Sequence, residues 1–152
     1  MNEVRIIFII AFAAVIVFMI GNHINAKKLE RYAKALQNKA RDRKVKYAPY
    51  GTDGFKARIQ FDEGALTQVD LAFKLVDRYN FMHYPLCLCT KDSDTMAVWC
   101  RLRDETKKKL LLSRLNAAHP KQLTEEEKKI YAVFERINEA RVNEVYDAIL
   151  QI

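Results

Sequence analysis

Phe55-Lys-Ala-Arg-Ile-Gln-Phe-Asp-Glu-Gly-Ala-Leu-Thr-Gln-Val-Asp-Leu-Ala-Phe-Lys-Leu75 is the stretch on which the fold turns. Phe55, Ala57, Ile59 and Phe61 alternate with Lys56, Arg58 and Gln60; Val69, Leu71, Phe73 and Leu75 alternate with Asp70, Ala72 and Lys74. In an extended chain every second side chain lies on the same face, so each run predicts a strand with one apolar and one wetter side. Asp62-Glu63-Gly64 between them supplies turn chemistry. The second run, Leu66 to about Asp77, has a composition a helix would also accept, and its strict alternation decides for a strand. Strands joined by short links pair antiparallel, and a sheet wet on one face needs its other face covered.

Toward the C-terminus, Arg78 to Pro85 is a connection rich in aromatic residues. Leu86-Cys-Leu-Cys-Thr90 predicts a third strand and Met96 to Leu102 a fourth, with the polar Lys91–Thr95 segment as the hairpin turn between them. Asp104 predicts the cap of a helix running to about Ala118, where His119-Pro120 stops it. Leu123-Thr-Glu-Glu-Glu127 matches a capping box, Thr124 and Glu127 exchanging side-chain bonds to each other's backbone N–H. Ile130, Val133, Phe134, Ile137, Val145 and Ile149 then recur at helical spacing, with Arg141 interrupting the face. The expected fold is α+β: a four-stranded antiparallel sheet packed by two C-terminal helices.

Toward the N-terminus, Tyr47-Ala-Pro-Tyr-Gly-Thr-Asp-Gly54 is a break before the first strand. Lys27 to about Lys44 reads as a helix with a narrow apolar stripe (Leu29, Tyr32, Ala33, Leu36, Ala40) and an otherwise basic surface. Before it, fifteen consecutive residues from Ile6 to Ile20 are apolar, and no charge appears until after Ala26. As a helix the uncharged run is about 31 Å long, close to the thickness of a bilayer core. The chain thus divides into a transmembrane anchor (1–26), a basic juxtamembrane helix (27–46) and a small domain (47–152).

Net charge is +7, and residues 27–46 hold all of it, with nine basic side chains against Glu30 and Asp42. Lys and Arg beside a span stay on the cytoplasmic side, which predicts a single-pass protein with its N-terminus outside and its C-terminal domain cytoplasmic. Lys27, Lys28, Arg31 and Lys34 are the expected lipid-facing residues, within reach of anionic head groups. An odd cysteine count suits a reducing compartment. The rival reading is a cleaved signal peptide that releases a secreted domain. Against it, Ile24-Asn25-Ala26 is a poor cleavage site, and a dense basic block resists translocation.

No dinucleotide, phosphate-loop, zinc-protease or serine-hydrolase motif is present, and Asp92 and Asp94 do not continue into a calcium loop. Asp62 and Glu63 are adjacent in a turn and read as solvated surface. The metal candidates are His83, Cys87, Cys89 and Cys100. If the fourth strand folds back on the third with the turn at 92–95, Cys100 faces Cys87 and three thiols share a face beside His83. Such a set would make a metal-binding or thiol redox protein. A Cys-x-Cys pair on a strand splays its sulfurs poorly for zinc, however, and buried cysteine commonly serves as a small hydrophobe. No cofactor and no catalytic residues are expected.

The segment Tyr79, Phe81, Met82, Tyr84 is the candidate partner-binding surface, because aromatic residues and Met are enriched at interface centres. Membrane lipid and a protein partner are expected. Nucleic acid is not, since no aromatic platform interleaves with the basic run. The sequence carries no signal for an oligomeric state. The function expected is binding or assembly, as an accessory or scaffold component of a membrane-associated complex.

Overall fold

The computed structural model describes residues 2–41, 43–51, 53–90 and 92–150. Its elements are α1 (Asn2–Ala40), β1 (Val45–Pro49), β2 (Gly54–Gln60), β3 (Leu66–Lys74), α2 (His83–Thr90), β4 (Thr95–Leu102), α3 (Lys108–Ala117), β5 (Gln122–Glu125), β6 (Lys129–Glu135) and α4 (Glu139–Leu150). The alternating stretch forms the strands it predicts, β2 and β3, paired antiparallel from Gly54↔Lys74 to Gln60↔Gln68. The fold is α+β, but the sheet has six strands rather than four, in the order β1-β2-β3-β4-β6-β5 with every neighbouring pair antiparallel.

Each departure from the sequence reading has a physical cause. The expected third strand, Leu86–Thr90, belongs to α2. Its apolar run is short and does not alternate with polar residues, and the edge of β3 is taken by β4 through eight paired positions. The Asn80 side chain accepts from the N–H groups of Met82 (3.1 Å) and His83 (3.0 Å), an Asx cap that starts the helix. Pro85 lies in its first turn, where a missing N–H leaves no gap. The turn expected at Lys91–Thr95 is therefore no hairpin turn, and Lys91 lies outside the described residues.

The capping box also gives way. Thr124 sits in β5 and Ile130 to Phe134 in β6, so the long last helix is a hairpin followed by α4. Ile130, Ala132 and Phe134 are buried while Tyr131, Val133 and Glu135 are half-buried. A period of two was present beside the helical one, and pairing with the free edge of β4 decided between them. The break read at Tyr47–Gly54 is narrower than expected, because β1 occupies Val45–Pro49 as an edge strand with Pro49 at its end. The helix before it ends at Ala40 instead of near Lys44, with Arg41 in the left-handed region (φ 52°). Asp104 caps as expected: its Oδ1 accepts from the Thr106 N–H at 3.1 Å, and a short 3-10 turn leads into α3.

One face of the sheet carries the core. Ile59, Val69, Leu71, Phe73, Met96, Val98, Ile130 and Phe134 meet Leu36 of α1, Leu111 and Leu115 of α3, and Val145, Tyr146 and Ile149 of α4. Phe73 lies at its centre, with Phe55 stacked on it (4.6 Å between ring centroids), Tyr32 at 5.6 Å and Tyr146 edge-on at 6.4 Å. The Tyr146 hydroxyl donates to the Tyr32 carbonyl at 3.1 Å, joining the first helix to the last.

α1 is one continuous helix of 39 residues, about 58 Å long at about 1.5 Å per residue. Gly21, Asn25, Tyr32, Leu36 and Ala40 are buried along a single face, while no described side chain from residue 3 to 20 is buried. The second half of α1 is thus a core helix, and the first half projects from the domain. That projecting half is long and apolar enough to cross a membrane. Leu36→Ala should lower stability by about 2–5 kcal/mol by leaving a cavity under the sheet. Ile9→Ala, in the projecting half, should leave the denaturation midpoint of the detergent-solubilised protein unchanged.

Candidate functional site

Two arrangements define what the domain can do: a polar clamp that fixes it to α1, and an open sheet face that it presents. The clamp forms where β3 ends and β4 begins. Asp94, 4% exposed, accepts from the Val76 N–H (2.9 Å), Lys28 Nζ (2.8 Å) and the Arg78 guanidinium (2.8 Å). Asn25, also buried, donates to the Val76 carbonyl at 2.9 Å and accepts from Arg78 at 2.8 Å. Tyr79 donates to Asp53 at 3.0 Å, drawing in the β1–β2 turn. Burial alone would raise the Asp94 carboxyl. Hydrogen bonds from Lys28 and Val76, with the charge of Arg78, outweigh it and hold the group below the usual carboxylate range. Lys28, expected to face lipid, is committed to this pair, whereas Lys27, Arg31 and Lys34 are exposed, Lys34 pairing with Glu30 on the helix surface.

The sheet face opposite the helices is uncovered. One transverse row of paired positions crosses all six strands in the order Lys46, Arg58, Asp70, Trp99, Tyr131, Thr124. Trp99 and Tyr131 pack at 5.2 Å between ring centroids, and Trp99 is 42% exposed, which is unusual for the only tryptophan of the chain. Arg58 binds Asp70 at 2.6 Å, aligning that carboxylate beside the indole position. Arg101 and Lys129 stand opposite one another two paired positions further along, on the same face. Over these residues lies a shallow concavity of about 930 Å³. An aromatic pair bordered by guanidinium and ammonium groups can stack against a planar or extended ligand and pair with its anionic groups. No single strand announced this row. It exists only once β5 and β6 are strands, because Tyr131 reaches Trp99 through β6.

The nominal three-cysteine set is not assembled. Cys100 lies opposite Val69 and Ile130, buried in the core, because β4 pairs with β3 and β6 while the segment expected as its partner strand folds as α2. Burial pushes its thiol up to about 12. His83 and Cys87 do meet, one helical turn apart on α2 with Nδ1 3.1 Å from Sγ, and Asp92 completes a group whose ligand atoms lie within 4.8 Å of one another. Burial and then the neighbouring carboxylates Asp92 and Asp77 raise the Cys87 thiol, the reverse of what an activated nucleophile needs. Cys89 is exposed and apart from this group. Of the partner-binding candidates, Tyr79 is tied into the clamp, Tyr84 is half-buried, and Phe81 and Met82 are 38% and 75% exposed.

Two outcomes follow from these environments. Asp94→Ala should cost about 3 kcal/mol by stranding Arg78 and Lys28. In the wild type the contribution of Asp94 is complete above its unfolded pKa of about 4 and is lost as the pH falls through the lowered folded value. A stability-versus-pH curve should show that loss, and Asp94→Asn should flatten it. At neutral pH one thiol, Cys89, should be alkylated quickly and Cys87 and Cys100 slowly, with all three equal after denaturation; peptide mapping by mass spectrometry checks this.

Neither the known protein families nor the curated proteins contain a match to this chain.

Proposed function

We propose that the protein is a single-pass membrane-anchored binding protein. Its cytoplasmic domain presents the open sheet face to a protein partner, as an accessory or scaffold component of a membrane-associated complex. The observation that carries this reading is the exposed Trp99–Tyr131 pair in the row from Lys46 to Thr124. Trp, Tyr and Arg dominate the energetics of protein interfaces, and on this face they lie together over a concavity wide enough to seat a partner segment.

The anchoring half of the reading draws on the apolar first half of α1 and the cationic block beyond it. The projecting helix gives a span of suitable length, and the charge asymmetry favours the N-terminus outside. Lys27, Arg31 and Lys34, exposed just beyond the span, reach anionic head groups.

A second reading has its own observation. Trp99 and Tyr131, flanked by Arg58, Arg101 and Lys129, supply the aromatic and cationic platform that the basic helix lacks, and single-stranded nucleic acid binds such platforms. One set of variants separates the two. Proteins co-purifying with the full chain in mild detergent should be lost from Trp99→Ala/Tyr131→Ala and kept by Lys109→Ala on the opposite side. The same partners retained by the double variant would refute the sheet-face proposal. Salt-sensitive binding of an oligoribonucleotide by the wild type, absent from the double variant, would select the second reading.

A further inference from the structure

We infer that the loop segment Tyr79–Cys89, between β3 and β4, is a second membrane-contacting element, seated in the head-group layer beside α1. This rests on the reading of α1 as the span. The loop is placed at that depth by direct contact with the helix. Gly21 stands one residue beyond the end of the apolar run, and a Cβ there would fall 2.3 Å from the Arg78 carbonyl oxygen, so the backbone of the loop lies against the helix where only glycine admits it. The Tyr79 ring meets Phe18, within the apolar run, edge-on at 5.7 Å. Lys27 follows Gly21 by six residues, about 9 Å along the helix, so the loop starts on the apolar side of the cationic block.

The composition of the loop fits that depth. From Tyr79 to Thr90 twelve successive residues carry no Asp, Glu, Lys or Arg, while Asp77, Arg78, Lys91 and Asp92 bracket them. Phe81, Met82 and Leu86 are 38%, 75% and 60% exposed, and α2 turns Cys87 inward as its buried contact. A contiguous apolar surface of this kind marks a site for lipid or protein. Lipid is favoured here because the segment adjoins the projecting helix at Gly21 and through the Tyr79–Phe18 contact, and carries no charge between its bracketing residues. Tyr79 and Tyr84 are of the aromatic type that collects at a membrane interface. The Tyr79 hydroxyl, bonded to Asp53, keeps its polar end on the protein side. At eight residues, about 12 Å, α2 is too short to cross a bilayer core and would lie at the interface.

The lone tryptophan makes the test direct. Trp99 lies five residues along β4 from Asp94, about 17 Å from the clamp, on the open sheet face. In vesicles containing lipids brominated on their acyl chains, the wild-type protein should keep its emission. In a Trp99→Phe background, Phe12→Trp reports the span, and Met82→Trp and, separately, Leu86→Trp report the loop. The expected result is strong quenching at position 12, and clear quenching with a blue shift at 82 and 86. Quenching at 12 with none at 82 or 86 would overturn the loop proposal and leave the anchor standing. No quenching at any of the three positions would overturn both. Using two loop positions guards against one substitution disturbing α2, and circular dichroism of each variant checks the fold.

Discussion

A carboxylate that is 4% exposed is costly to place inside a protein unless its oxygens are satisfied, here by three donors on two segments. Asp94 uses them on the Val76 backbone, on Arg78 and on Lys28, and so binds the ends of β3 and β4 to α1. Asn25 repeats the tie from the helix side. Two neighbouring segments are tied in at this junction: the β1–β2 turn through Asp53 and Tyr79, and the loop that carries α2 through Arg78 and its contact at Gly21. The apolar contacts of Tyr32 and Leu36 fix the remainder of α1 against the sheet. Burial provides most of the adhesion, and the clamp selects the register of helix against sheet.

The parts of the fold legible in the sequence are those where one period dominates. Residues 55–75 alternate with no competing pattern, and β2 and β3 form as read. The projecting helix and the Asp104 cap follow equally local rules. Misreadings fall where two periods coexist or where the deciding contact is distant. Ile130, Phe134 and Ile137 satisfy helical spacing, but Ala132 completes an alternation, and only the vacant edge of β4 explains why the strand prevails. Leu86–Cys89 is apolar in every position, so it has no face to specify and takes its structure from the Asn80 cap. Of the candidate site, Trp99 falls within the run Met96–Leu102 that reads as a strand. Its company was not legible, because Tyr131 reaches it through β6, and Arg58 and Lys46 lie two and three strands away across the same face. The polar residues that clamp α1 were equally hidden, since Asn25 falls in the uncharged run, Arg78 in the aromatic-rich connection and Asp94 in a polar turn, far apart along the chain.

The two faces of the sheet divide the work of the domain. Aromatic and aliphatic side chains on the inner face satisfy the helices and leave nothing for a ligand to use. The outer face pairs Arg58 with Asp70 at 2.6 Å, while Lys46, Lys56, Arg101 and Lys129 give its concavity more cations than carboxylates. A further cationic stretch runs along α1 from Lys27 to Lys39. A partner meeting the sheet would therefore encounter an aromatic centre with a basic border, and attraction to anionic surfaces is shared between this face and the helix.

The continuity of α1 carries one more consequence. Membrane-tethered domains commonly hang from a flexible linker and sample every orientation within its reach. Here a single helix runs from the first described residue through the core, so the lever that would cross the bilayer is also a beam of the domain. In the anchored arrangement proposed above, the sheet would be left with little freedom except rotation about the membrane normal and tilt of the beam. Its open face keeps a constant angle to α1, so the proposed partner would search in two dimensions for a surface already oriented relative to the helix. Much of the orientational entropy of such an encounter is lost when the helix folds, before any partner arrives.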